Sequence, residues 1–151
     1  MKLSEHLDLA EVTRSDMAKR KGISNMPTPE HIENFKKLAQ NIFEPIRKHF
    51  GVPIFISSGY RSSALNKAIG GASSSQHLLG QALDLDMDGS SSRVTNKMVF
   101  EYIKNNLDFD QLINEFSYSW VHVSYNTKGK QRKQILDATK INGKTVYSTH
   151  K

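Results

Sequence analysis

No cysteine occurs anywhere in the chain, so no disulfide holds the fold and no thiolate can act as nucleophile or metal ligand. Any bound metal must take its ligands from His, Asp or Glu. There is also no apolar run of about 18 residues, which excludes a transmembrane helix and membrane insertion. Behind Lys2 no apolar stretch of roughly seven residues follows, so a secretory signal is not expected. The expectation is a protein made in the cytoplasm that reaches any outside target by another route. Acidic residues are in deficit: Lys and Arg number 21 against 15 Asp and Glu, so the net charge is 21 − 15 = +6. A basic surface favours polyanions. Nucleic acid is one such class, but the basic residues lie in small scattered groups without the aromatic interleaving of a single-strand platform, and no nucleic-acid partner is expected. Anionic cell-wall polymers are the other.

What the chain does contain is the composition of a folded protein, with 37% apolar and 24% charged residues over 151 positions. That length suits a single domain over 1–151, expected as a monomer. Residues 3 to 26 read as short helices with a start at Ser15-Asp16. Thr28-Pro29-Glu30 is a stronger opening, because Thr caps, Pro is tolerated at the first helical position and Glu complements the dipole. From there Ile32, Phe35, Leu38, Ile42, Phe43 and Ile46 recur at helical spacing and predict a long core helix ending near Gly51, with Pro45 as a kink or early break.

A short β run at Pro53 to Ser57 and a brief helix from Ser63 to Ile69 follow. In Ala82 to Asp88 the apolar Leu83, Leu85 and Met87 alternate with Asp84, Asp86 and Asp88, which predicts a strand with its acids on one face. A second helix is predicted over Thr95 to Leu107. Gln111 to Glu115 and Trp120 to Tyr125 are then predicted to form a hairpin through Phe116 to Ser119, and beyond Asn126 to Gly129 the chain reads as a basic tail in which Ile135-Leu136 and Val146-Tyr147 add short edge strands.

Two segments carry residue types that bind divalent zinc: Ser75-Gln76-His77-Leu78-Leu79-Gly80-Gln81-Ala82-Leu83-Asp84 and Trp120-Val121-His122. Two imidazoles and a carboxylate are a protein ligand set that leaves a fourth tetrahedral position free, as a catalytic metal requires. A flexible serine-rich approach would deliver His77, and strands would present Asp84 and His122 on the face opposite Leu83, Leu85, Val121 and Val123.

Together with Ser58-Gly59-Tyr60-Arg61-Ser62, these segments resemble the signature of the zinc D-alanyl-D-alanine carboxypeptidase family, which includes bacterial D,D-carboxypeptidases, D-Ala-D-Ala dipeptidases and phage endolysins that cut peptidoglycan stem peptides. The signature-bearing core spans about 28–126. The resemblance implies an α+β fold of the hedgehog/DD-peptidase type, with a small antiparallel sheet carrying the zinc site and packed against the long helix. It implies Zn2+ as cofactor, His77, Asp84 and His122 as its ligands, Arg61 as the arginine that contacts substrate and stabilises the oxyanion, and Ser75 as a substrate-binding hydroxyl. Trp120, on the strand face of His122, is expected to contact substrate as well. Several relatives place an acid three residues before the last histidine, where this chain has Ser119. Glu115 is then the nearest upstream candidate for the general base, and Asp86 is an alternative partner that could orient a ligand histidine.

The implied function is zinc-dependent hydrolysis of peptidoglycan stem peptides, by a carboxypeptidase or an endolysin-type endopeptidase acting on the wall after release. A cytoplasmic D-Ala-D-Ala dipeptidase is a second reading. A zinc-containing peptidoglycan-binding module without turnover is a third, raised by Ser119.

Overall fold

In a computed structural model covering residues 1–151, the chain begins with an antiparallel ribbon of Lys2–Ser4 (β1) and Leu7–Asp8 (β2). Two short helices, Leu9–Thr13 (α1) and Asp16–Lys21 (α2), come next. Their starts are set by local side chains. Asp8 accepts from the Ala10 amide while Glu11 accepts from the Asp8 amide, a reciprocal cap, and Ser15 accepts from Ala18. The helices match the expectation for this region, whereas the ribbon before them was not read from the sequence. Leu3, Leu7 and Val12 tie the whole segment into the core.

The helical stretch opening at Thr28 runs in three consecutive segments: Pro29–Leu38 (α3), a π-helical turn over Ala39–Phe43, and Glu44–Phe50 (α4). Pro45 does not break it. Proline has no amide hydrogen to give and its ring crowds the carbonyl four residues back. Here the wider winding just ahead of it, in which the Glu44 amide reaches Ala39 O, absorbs that misfit. Phe35, Leu38, Ala39, Ile42, Phe43 and Ile46 are all buried along the stretch. Gly51, in the left-handed conformation, ends it.

Ile56–Ser58 (β3), Ala82–Leu85 (β4), Gln111–Glu115 (β5), Trp120–Ser124 (β6), Gln134–Ile141 (β7) and Lys144–Thr149 (β8) form one sheet in the order β3-β4-β6-β5-β7-β8. Ser63–Ala68 (α5) and Asn96–Asn106 (α6) lie between strands in sequence. Leu83, Leu85, Val121 and Val123 are fully buried on one face of the sheet, where they join Phe35, Ile42, Val99, Phe100 and Ile103 from the helices. The opposite face of β4 and β6 is thereby left to Asp84 and His122.

The architecture is α+β as expected, but the main sheet is neither small nor wholly antiparallel. It has six strands, and β7 pairs parallel to β5. The crossing is fixed by Asp110, a buried acid at the start of β5. Its carboxylate accepts from the Arg132 side chain and amide, while Lys133 N donates to Phe109 O and Gln134 N to Asp110 O. The chain is thus delivered alongside β5 with its direction already set. What reads as a basic tail in the sequence is therefore the approach to two long strands. Along that approach Lys128 pairs with Glu30, Arg132 with Asp110 and Lys133 with Asp108.

Candidate metal centre

Asp84 lies in the middle of β4, directly paired across the sheet with His122 of β6. Directly opposed side chains on one face of a sheet stand within contact distance, and His122 Nδ1 lies 3.0 Å from Asp84 Oδ1. His77 arrives from a one-turn 3₁₀ helix over Gln76–Leu79, capped by the Ser75 hydroxyl, which accepts from the His77 amide. Gly80 closes this turn in the left-handed conformation, and a Cβ there would meet His31 O at 2.5 Å. Only glycine lets the chain pass so close and turn directly into β4.

His77 is buried, and its Nδ1 lies 2.6 Å from Gly59 O. A carbonyl can only accept, so Nδ1 carries the proton. In the neutral ring Nε2 then directs its lone pair at Asp84 Oδ1, 3.3 Å away. Two electron-rich atoms face each other at that distance favourably only with a positive centre between them, either a proton that makes the ring cationic or a metal ion. His77, Asp84 and His122 each offer one ligand atom, and these atoms lie within 4.8 Å of one another. The donor chemistry, the fixed tautomer of His77 and the burial of all three side chains fit a divalent metal. A second cluster, Glu5, His6 and Glu44, is more exposed, and its contacts are used structurally: Glu44 accepts from Ser4 Oγ and from the His6 amide and ring.

Burial would raise the Asp84 carboxyl, but the charges of His77 and His122 and hydrogen bonds from both rings outweigh it, holding the group below the usual carboxylate range. Its second oxygen receives Arg61 Nη2 at 3.3 Å. Arg61 is further held by Ser58 Oγ and Asn66 Oδ1, and its amide donates to His77 O. One edge of the guanidinium is thus engaged with a proposed metal ligand, while the side chain still lines the cleft.

Glu115 ends β5, pairs with Trp120, and is 8% exposed at the cleft wall. No side-chain hydrogen bond reaches its carboxylate. Burial first, and then the nearby Asp84 charge, push it up to about 7, against the opposing pull of His122 and Arg61. The turn that follows is built from three successive left-handed residues, Phe116, Ser117 and Tyr118. In it Ser119 Oγ donates to Phe116 O, so this serine serves the turn and is exposed to solvent rather than directed at the ligand cluster. Asp86 is elsewhere too. β4 ends at Leu85, and the Asp86 carboxylate accepts from Asn96 Nδ2 and the Asp88 amide, fixing the next loop. It orients neither histidine.

The cleft has a volume of about 730 Å³ and is lined by every residue singled out in the sequence as ligand, base or substrate contact: Arg61, Ser75, His77, Asp84, Glu115, Trp120 and His122. Sequence reasoning missed its far wall, made by Leu136 and Lys140 of β7 and Thr145 and Tyr147 of β8. A signal was present. Asn142-Gly143, both at positive φ, is the two-residue turn that the twist of an antiparallel hairpin prefers. Of the histidines outside the cluster, His31 completes the cap at Thr28, His49 stacks on Tyr102, and His150 bonds Asp137 at 2.8 Å against the Phe100 ring.

Residues 5–124 match the family described as Peptidase M15. The match starts well before residue 28, so β2 and the first two helices fall inside it, while β1, β7 and β8 fall outside. No curated protein gives a match to this sequence.

Proposed function

The chain belongs to the Peptidase M15 family, and from that footing we propose that it is a zinc-dependent peptidase hydrolysing amide bonds in peptidoglycan stem peptides, as a carboxypeptidase or an endopeptidase. The observation that carries the reading is the buried contact of the His77 Nε2 lone pair with Asp84, with His122 on the same oxygen and Glu115 on the same cleft. His77, Asp84 and His122 would hold the ion. When bound, zinc supplies Lewis acidity toward a carbonyl and lowers the pKa of a ligated water to about 7.

The chain's own residues do the rest. Glu115, poised to titrate near neutrality, takes the proton of the attacking water at its carboxylate and passes it to the leaving amine. Arg61 holds Asp84 in orientation with one nitrogen and turns the rest of its donor fork to a substrate carbonyl or carboxylate. Trp120 offers an indole face for the peptide, and the Ser75 hydroxyl, while capping the His77 turn, stands at the cleft edge for a substrate oxygen. The stem peptide as substrate rests on the resemblance of the three signature segments, and the net charge of +6 suits an anionic wall reached after release from the cytoplasm.

A binding module without turnover is disfavoured by Glu115, which supplies an acid on the cleft where Ser119 does not. The test is to incubate zinc-loaded protein with purified peptidoglycan and identify new termini by mass spectrometry. New amino or carboxyl termini in the stem are expected, falling about 10²–10⁴-fold in rate in Glu115→Gln. Stem peptides bound but never cut would establish the binding module instead.

A further inference from the structure

We propose that the β7–β8 hairpin is the substrate-selecting wall of the cleft and that Lys140 is an anchor for a carboxylate of the peptide substrate. The inference rests on the peptidase reading above and adds the chemistry of the substrate that the site selects.

The cross-sheet register places the hairpin against the site. Trp120 pairs with Glu115, Glu115 with Ala138, and Ala138 with Tyr147, so one row of side chains runs from the β6 face to the outermost strand. Ala138 is almost fully buried and too small to separate its neighbours, so the Tyr147 ring reaches the cleft from the far side. Lys140 is two residues beyond Ala138 and so rises on the same face. Its Nζ lies 5.5 Å from the centroid of the Phe116 ring, which in turn packs on Trp120 at 5.4 Å. An ammonium over a ring face is attracted to it. The charge thereby stands at the rim, over the ring of the residue that follows Glu115.

Charge pairing singles this residue out. Three permanent cations line the cleft: Arg61, Arg132 and Lys140. Arg61 gives one nitrogen to Asp84 at 3.3 Å and keeps its other donors at the ligand cluster, and Arg132 pairs with Asp110 at 2.8 Å. Lys140 has no carboxylate partner, and its contact with Phe116 neutralises nothing. A peptide lying from the His77–Asp84–His122 cluster past Trp120 and Phe116 would bring an acidic group to it. The family match ends at residue 124, so this contact lies beyond the matched residues.

The carboxylate could be the substrate's C-terminus or an internal acidic side chain, and three peptides separate the two. One is a stem-like peptide with both groups free, the second has a C-terminal carboxamide, and the third has its internal acid replaced by the amide. Dissociation constants are measured by calorimetry on the zinc-loaded protein, with cleavage followed in parallel. Wild type should bind the free peptide roughly two- to fivefold more tightly than one of the two amides, the range of an exposed ion pair, and the weakened amide identifies the source. Lys140→Gln should bind all three alike, and Lys140→Arg should keep the preference. Equal affinity of wild type for the three peptides, no measurable binding of any, or a preference that survives in Lys140→Gln would overturn the anchor. Preference without cleavage would uphold Lys140 while removing the peptidase reading, and cleavage without preference would do the reverse.

Discussion

At the scale of single residues, Glu115 and Asp84 are two carboxylates whose common surroundings drive them in opposite directions. Asp84 is surrounded by His77, His122 and Arg61 and stays ionised, whereas Glu115, buried without a hydrogen-bond donor, is pushed up to about 7 from an ordinary 4.5. The folded chain therefore keeps a proton on Glu115 that the unfolded chain has released. Its contribution to stability is full below about pH 4.5 and is lost as pH rises through about 7, because stability falls wherever the folded state binds more protons. Asp84 acts oppositely, supporting the fold above its ordinary range and losing that support as pH falls below it. We expect thermal denaturation of metal-free protein to show wild type losing stability relative to Glu115→Gln between pH 5 and 8. A wild-type minus variant difference that stays flat with pH would mean that Glu115 is solvated in the folded chain. The three residues that meet in the cluster, His77, Asp84 and His122, stand in the signature segments of the sequence that name them. The engagement of Arg61 with Asp84 was not legible there, since it depends on where a turn after β3 meets the middle of β4.

At the scale of elements, the turn from Phe116 to Ser119 shows how local strain is tolerated where packing dictates it. Three consecutive non-glycine residues hold φ values of 51°, 56° and 63°, each in a region unfavourable to L-residues by about 1–2 kcal/mol. The turn persists because it is held from several sides: Asn114 Oδ1 accepts from the Tyr118 amide, Asn96 Nδ2 donates to Tyr118 O and Ser119 O, and Phe116 N donates to Ala138 O. Phe116 and Tyr118 also pack on Trp120 and Phe100, but Ser117 is exposed and contributes only its backbone. Ser117→Gly should therefore stabilise the protein by about 0.5–1 kcal/mol, the left-handed penalty removed less the extra freedom of glycine in the unfolded chain. Urea denaturation at fixed pH measures it, and a destabilised variant would show that the turn carries no strain. The same region marks where sequence reading stops. Alternation in β4 and β6 is clear because one face of each is apolar, while β8 is exposed along its length and shows in the sequence only as a short edge strand at Val146-Tyr147. The parallel pairing of β5 with β7 depends on Asp110 meeting Arg132, 22 positions later, which no local pattern announces.

At the scale of the whole molecule, the His77–Asp84–His122 cluster joins a loop to two paired strands of the sheet. The His77 turn meets the sheet through β4, Asp84 through β3 and β6, and His122 through β5, so the three side chains converge where a loop, a central strand and a hairpin cross. In a chain without cysteine, a divalent ion at this crossing would be the strongest cross-link available, and it would bind the folded state alone because the unfolded chain does not assemble the three residues. Mass action then makes it a stabiliser: free zinc at about 1,000 times its dissociation constant should contribute about 4 kcal/mol. We expect zinc to raise the melting temperature of chelator-treated protein, with saturation at one ion per chain. His77→Ala should abolish the rise without preventing folding, because the apolar core on the other face of the sheet is untouched by the change. Lys140→Gln, on the same cleft but outside the ligand set, should respond to zinc as wild type does. A melting temperature indifferent to zinc in the wild type, or a His77→Ala variant that still gains the full increment, would place the ion somewhere other than among His77, Asp84 and His122.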